Sequence, residues 1–99
     1  MTRQDRILVA MLDLEDRVRQ HGYKFGMELP VRVVAGEVNL SPARTLVTIA
    51  QLVSKELCTF ERDGRLRMPD PMSYMVRASL TEDGRDRAQR LSSPMPRRR

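Results

Sequence analysis

The side chains best suited to chemistry gather in one short stretch, SPARTLVTIAQLVSK, residues 41–55. Ser41, Arg44, Thr45, Thr48, Gln51 and Lys55 recur there at three- and four-residue steps, the spacing of residues that share a helix face. No carboxylate interrupts them. Such a set supports recognition chemistry. Arginine pairs with a guanine edge, glutamine with an adenine edge, and serine and threonine add hydroxyls and a methyl group for the floor of a DNA major groove. An acidic face would be repelled by phosphate. A solvated amphipathic helix has the same pattern, so the neighbouring elements must decide between the two.

Other chemistries find little support. His21 has no serine or cysteine nucleophile placed to partner it, and no glycine-rich phosphate loop is present. One histidine and one cysteine make no metal-ligand cluster, and a single cysteine excludes an intrachain disulfide framework. Cys58 lies in an alternating apolar run and reads as a buried structural thiol, with redox sensing as the alternative. The expectation is a protein that is not an enzyme and uses neither metal nor cofactor.

Length and composition set the frame. The 99 residues suit one small domain, with 40% hydrophobic and 31% charged residues. No apolar run approaches the roughly 20 residues that span a bilayer, and the N-terminus carries acids inside its apolar region, unlike a signal peptide. A cytoplasmic protein without a membrane role is expected. Net charge is +5 and uneven: residues 1–30 sum to zero, 31–60 to +1 and 61–99 to +4. A basic surface suits a polyanionic partner.

The positioning elements follow from local signals. Val31, Val34, Ala35 and Val38 trace a helix that Asn39 ends. Ser41 as N-cap and Pro42 at the first helical position open the next, giving a helix-turn-helix across residues 31–57. In the second helix Leu46, Ile49, Ala50, Val53 and Leu57 form the expected apolar stripe. Upstream, Thr2 and Asp5 approximate a capping box for a helix running to about Gln20. Ile7, Leu8, Met11, Leu12, Glu15 and Val18 form its inner face, and Leu14 falls off that stripe, hinting at a second contact surface. Residues 22–30 read as a loop anchored by Tyr23 and Phe25, with a short strand near 27–31.

Downstream, residues 57–62 and 74–80 alternate as half-buried strands around the Asp63-Gly64 turn and a basic loop. They form an expected β-hairpin wing. Thr81 caps a last helix with Glu82 and Asp83 in its first turn. That helix offers only Leu80, Ala88 and Leu91 as apolar contacts, so it must pack along a narrow edge or dock on another subunit. The fold class is mainly α with a small β-hairpin, a single domain over residues 1–91, followed by an expected disordered basic tail over 92–99.

This order of elements resembles the winged helix-turn-helix of the MarR and PadR type of bacterial transcriptional regulator. Residues 78–85, ASLTEDGR, resemble the family's SLTEKGR step from wing strand to last helix, and Leu40-Ser41-Pro42 resembles its usual turn. Leu52 and Leu57 fall where the family carries core leucines. The chain departs from the pattern at Asn39 and Glu56, where glycine is usual, and at Thr45 and Thr48, where aliphatic residues are usual. It also lacks the extra helices that build the MarR ligand pocket, which implies no small-molecule effector.

The resemblance implies a sequence-specific binder of double-stranded DNA, a small transcriptional regulator with recognition helix 41–55 and basic wing 62–73. Arg44, Thr45, Thr48 and Gln51 would face base edges, with Ser41 also among the DNA-binding residues. Arg32, Lys55, Arg62, Arg65 and Arg67 would meet phosphates or the minor groove. A homodimer through helices 2–20 and 81–91 is expected, because so small a domain has a thin core. The alternative is a winged helix that contacts only protein partners within a larger assembly, for which Met68, Met72 and Met75 beside Pro69 and Pro71 give an adaptable surface.

Overall fold

The computed structural model describes residues 1–20, 28–61 and 76–92. Among them the chain forms four helices and one three-stranded antiparallel sheet. Helix α1, Arg3–Gln20, begins with the expected reciprocal cap. The Asp5 amide donates to Thr2 Oγ1 at 3.1 Å, and the Thr2 amide reaches Asp5 Oδ2 at 3.4 Å.

Strand β1, Leu29–Pro30, leads directly into helix α2, Val31–Val38. Among the described residues the expected strand covers these two, and Val31 belongs to the helix. Its amide donates to the Val76 carbonyl at 2.9 Å, joining the start of α2 to the sheet. Asn39 closes α2 at φ 60°, ψ 43°, in the left-handed region. The Leu40 amide reaches back to the Ala35 carbonyl at 3.1 Å, which satisfies an end carbonyl of the helix.

Helix α3, Pro42–Ser54, starts at the Ser41 cap, whose Oγ accepts from the Arg44 amide at 3.2 Å. It ends as α2 does. Glu56 has φ 62°, and the Leu57 amide donates to the Leu52 carbonyl at 2.9 Å. Asn39 and Glu56 are the non-glycine residues at positive φ among the described residues. Both therefore stand where glycine would carry less strain.

Strands β2, Cys58–Glu61, and β3, Arg77–Leu80, pair antiparallel with Cys58 opposite Leu80 and Phe60 opposite Ala78. β3 is central, with β1 on its other edge. The inner positions Cys58, Ala78 and Leu80 are buried, while Thr59 and Ser79 face outward with their hydroxyls 3.0 Å apart. The Asp63-Gly64 turn, the loop 62–73, Tyr23 and Phe25 of the 22–30 loop, and tail residues 93–99 lie outside the described residues.

Helix α4, Glu82–Ser92, packs along α1 and resolves the question of its few apolar residues. Thr81 Oγ1 accepts from the Gly84 amide at 3.0 Å and donates to the Glu56 carbonyl at 2.7 Å. The Thr81 amide donates to the Leu57 carbonyl at 3.1 Å. Gly84 is pressed onto the same backbone: a Cβ there would lie 1.8 Å from the Leu57 carbonyl oxygen. Thus Thr81 and Gly84 join the start of α4 to the end of α3.

Two expectations about helix faces need correction. Leu14 is only 8% exposed and belongs to the core of its own chain, because α1 touches α2, α3, α4 and the sheet and so buries a wide band. In α3 the buried face is Thr45, Thr48, Ile49 and Leu52, with Leu46 and Val53 half-buried and Ala50 exposed. The helix is turned relative to the expected stripe.

Candidate nucleic-acid interface

The rotation of α3 decides which of its side chains can meet a ligand. Ser41, Arg44, Gln51 and Lys55 are exposed, as the sequence suggested. Thr45 and Thr48 are not: they are 0% and 2% exposed and leave the candidate set. Each hydroxyl donates to the carbonyl four residues back, Thr45 to Ser41 at 3.0 Å and Thr48 to Arg44 at 2.8 Å. With its oxygen satisfied locally, a threonine can turn its methyl group inward and pack as a valine does.

The face is completed by residues that polarity alone does not pick out. Ala43, Val47 and Ala50 are exposed between the polar groups. Their steps of four and three residues were a readable signal, hidden by assigning Ala50 to the core. At the far end of the helix Gln51 and Lys55 are joined through Gln4 of α1. Gln4 Nε2 donates to Gln51 Oε1 at 3.1 Å, and Lys55 Nζ donates to Gln4 Oε1 at 2.7 Å. This fixes the C-terminal half of the α3 face against the start of α1.

An open cleft of about 380 Å³ lies beside that bridge, lined by Arg3, Gln4, Asp5, Gln51, Lys55 and Arg87 among others. Arg3 and Arg87 thereby join Lys55, although one precedes Lys55 by some fifty residues and the other follows it by some thirty. Sequence reading had no local signal for that convergence. The cationic character is moderated by Asp5, which Arg87 meets at 3.4 Å. Partial burial opposes ionisation of Asp5, but the hydrogen bonds from Thr2 and the charge of Arg87 outweigh it and hold the carboxyl below its ordinary range.

Charges on the supporting elements are largely committed. Arg17 bridges Asp13 at 2.5 Å and Glu37 at 2.6 Å, tying α1 to α2. Those hydrogen bonds raise its pKa further. Arg6 donates to the Val38 carbonyl at 2.7 Å, and Arg90 pairs with Asp86. The strongest of these contacts is internal. Glu15 is 0% exposed and receives both Arg85 Nε at 3.0 Å and Nη2 at 3.1 Å, a two-point grip between α1 and α4. Arg85 is held charged, chiefly by that hydrogen bonding.

Against this background Arg44 on α3 differs from the paired arginines: among the described residues its guanidinium, like that of Arg3 at the start of α1, makes no ion pair and no side-chain hydrogen bond. Arg32, expected to meet phosphate, is half-buried on α2. Arg62, Arg65 and Arg67 lie outside the described residues. Cys58 is buried, its thiol pushed up to about 12 by burial and, secondarily, by the Glu15 carboxylate. It is therefore protonated at neutral pH and packs by its sulfur against Met11 at 3.9 Å. Among the described residues no group of three or more potential ligands could hold a metal ion, and no helix is long and apolar enough to cross a membrane. No family model, curated protein or solved structure matches the chain.

Proposed function

We propose that this chain binds double-stranded DNA as a winged helix-turn-helix regulator, with α3 entering the major groove. The observation that carries the reading is the contrast in charge commitment. α3 exposes Ser41, Arg44 and Gln51 without a carboxylate, and Arg44 has no side-chain partner among the described residues, whereas Arg6, Arg17, Arg85, Arg87 and Arg90 are tied to neighbours. An unengaged guanidinium near the start of a recognition helix is placed to make a two-point contact with guanine.

Three further features support it. α2 and α3 meet through a tight Asn39-Leu40-Ser41 turn, and β2 and β3 follow α3 as an antiparallel pair. Positive φ occurs at Asn39 and Glu56, the two sites where the resembled regulators carry glycine. In the step from β3 to α4, Leu80 fills the core, Thr81 caps, Gly84 permits close approach and Arg85 grips Glu15. Lys55, Arg32 and the wing arginines Arg62, Arg65 and Arg67 are the proposed phosphate contacts.

Binding to random duplex DNA across a salt series tests the proposal. Log affinity should fall steeply with log salt, as counterions are released from each neutralised phosphate. Absence of duplex binding at low salt would overturn it and favour a second reading, a winged helix that contacts protein, for which Val33 and Val47, 38% and 58% exposed, supply apolar ground. A homodimer through α1 and α4 remains part of the proposal. Because Leu14 is occupied internally, such a contact would use the charged outer faces around Asp13 and Asp86, and sedimentation at micromolar concentration should show pairing that weakens with salt.

A further inference from the structure

The exposed side of α3 is partly apolar at its centre. Val47 is 58% exposed, with Ala43 and Ala50 exposed one turn to either side. A lone surface valine is ordinary and assigns no partner by itself. Its neighbours narrow the choice. Arg44 stands one turn before it without an ion pair among the described residues, Gln51 one turn after it, and the helix has no carboxylate. An apolar protein surface covering Val47 would also cover Arg44 and leave a charge unpaired. The floor of a major groove provides for both, because guanine presents two acceptors to Arg44 and thymine presents a C5 methyl, the apolar group on a base edge.

Distance fits the same occupant. Arg44 and Val47 are three residues apart, about 4.5 Å along the helix axis. That separation spans between one and two base steps of about 3.4 Å. We infer that Val47, flanked by Ala43 and Ala50, reads thymine methyl groups, so that the preferred sites carry thymine one or two steps from the guanine held by Arg44. The inference rests on the duplex-binding reading of α3 and adds the base class that it selects.

The test uses the whole chain. Sites are selected from random duplex DNA, and each thymine of a selected site is then replaced by deoxyuridine, which lacks only the methyl group. Affinity should fall about fourfold for each methyl in contact, at one or two positions near a guanine. In Val47→Ser, which should melt with the parent protein because the site is exposed, the same replacement should have no effect. A uracil site bound as tightly as its thymine parent overturns the inference while leaving DNA binding intact. So does an undiminished uracil penalty in Val47→Ser, and so does a homodimer lost in that variant with the penalty unchanged, which would place Val47 between copies. If no duplex is selected or bound at low salt, the functional reading itself fails and takes the inference with it.

Discussion

The α1–α4 side and the outer face of α3 use the same residue types for opposite ends. On the first, arginine and carboxylate close on each other: Arg85 grips buried Glu15, Arg87 meets Asp5, and Arg17 bridges two acids. On the second, Arg44 is exposed one turn from Val47 and pairs with no acid among the described residues. Charge is therefore not a marker of function in this molecule, since most of its described arginines hold the fold together. A net charge of +5 is informative only after those internal pairs have been discounted.

The sharpest way to break the comparison is to treat the two arginines alike. Arg85→Ala should cost up to about 3–5 kcal/mol of stability, because it leaves the buried Glu15 carboxylate without its two-point partner and with only the looser Arg19 contact at 3.7 Å. Arg44→Ala should change stability by less than about 0.5 kcal/mol. Chemical denaturation of both variants checks this. Equal losses would show that Arg44 also serves the fold. Gly84→Ala should destabilise by about 1–3 kcal/mol, since its methyl group would meet the rigid Leu57 carbonyl instead of a movable side chain.

The same contrast explains what the sequence made legible. The Thr2–Asp5 box, the Ser41 and Thr81 caps and the Asn39 stop were readable because each is settled by residues three or four apart. Glu15 was visible as an acid on an apolar stripe, but its partner is seventy residues away. Leu14 was misread because one stripe was assumed to serve one neighbour, whereas α1 is packed on several sides. Thr45 and Thr48 were misread because polarity was taken to mean exposure, while helix carbonyls satisfy both hydroxyls. Of the candidate site, Ser41, Arg44, Gln51 and Lys55 were found by spacing. Val47 was missed because an apolar residue is assumed to face inward.

On the binding side, Arg44→Ala and Gln51→Ala should each weaken specific DNA binding by about 1–3 kcal/mol and relax preference at one base position. Gln51 also holds Gln4, so its variant should loosen the start of α1 slightly, a second effect that Arg44→Ala lacks. Replacing Arg62, Arg65 and Arg67 together by Ala should instead reduce the salt slope by up to about 3 and weaken all sequences alike. Titration of specific and random duplexes at several salt concentrations separates these outcomes. Loss of sequence preference at an unchanged slope would mean that the wing reads bases.

The smallest expected effect lies where the two regions meet, at Asp5. Its carboxylate accepts from the Thr2 amide at the start of α1 and faces Arg87 of α4, and its folded pKa is lowered. A group with a lowered folded pKa stabilises the protein fully above its unfolded value, about 3.9, and loses that contribution as pH falls through the folded value. Asp5→Asn should therefore lower stability at pH 7 by about 0.3–1 kcal/mol, the scale of a negative charge at a helix start. The gap between variant and parent should narrow progressively as pH falls from the unfolded value toward and through the lowered folded value, below which both side chains are neutral. Melting temperatures at pH 7, 5 and 3 measure it. A gap that does not narrow at all between pH 5 and pH 3 would mean that Asp5 acts through packing or neutral hydrogen bonding instead of through its charge.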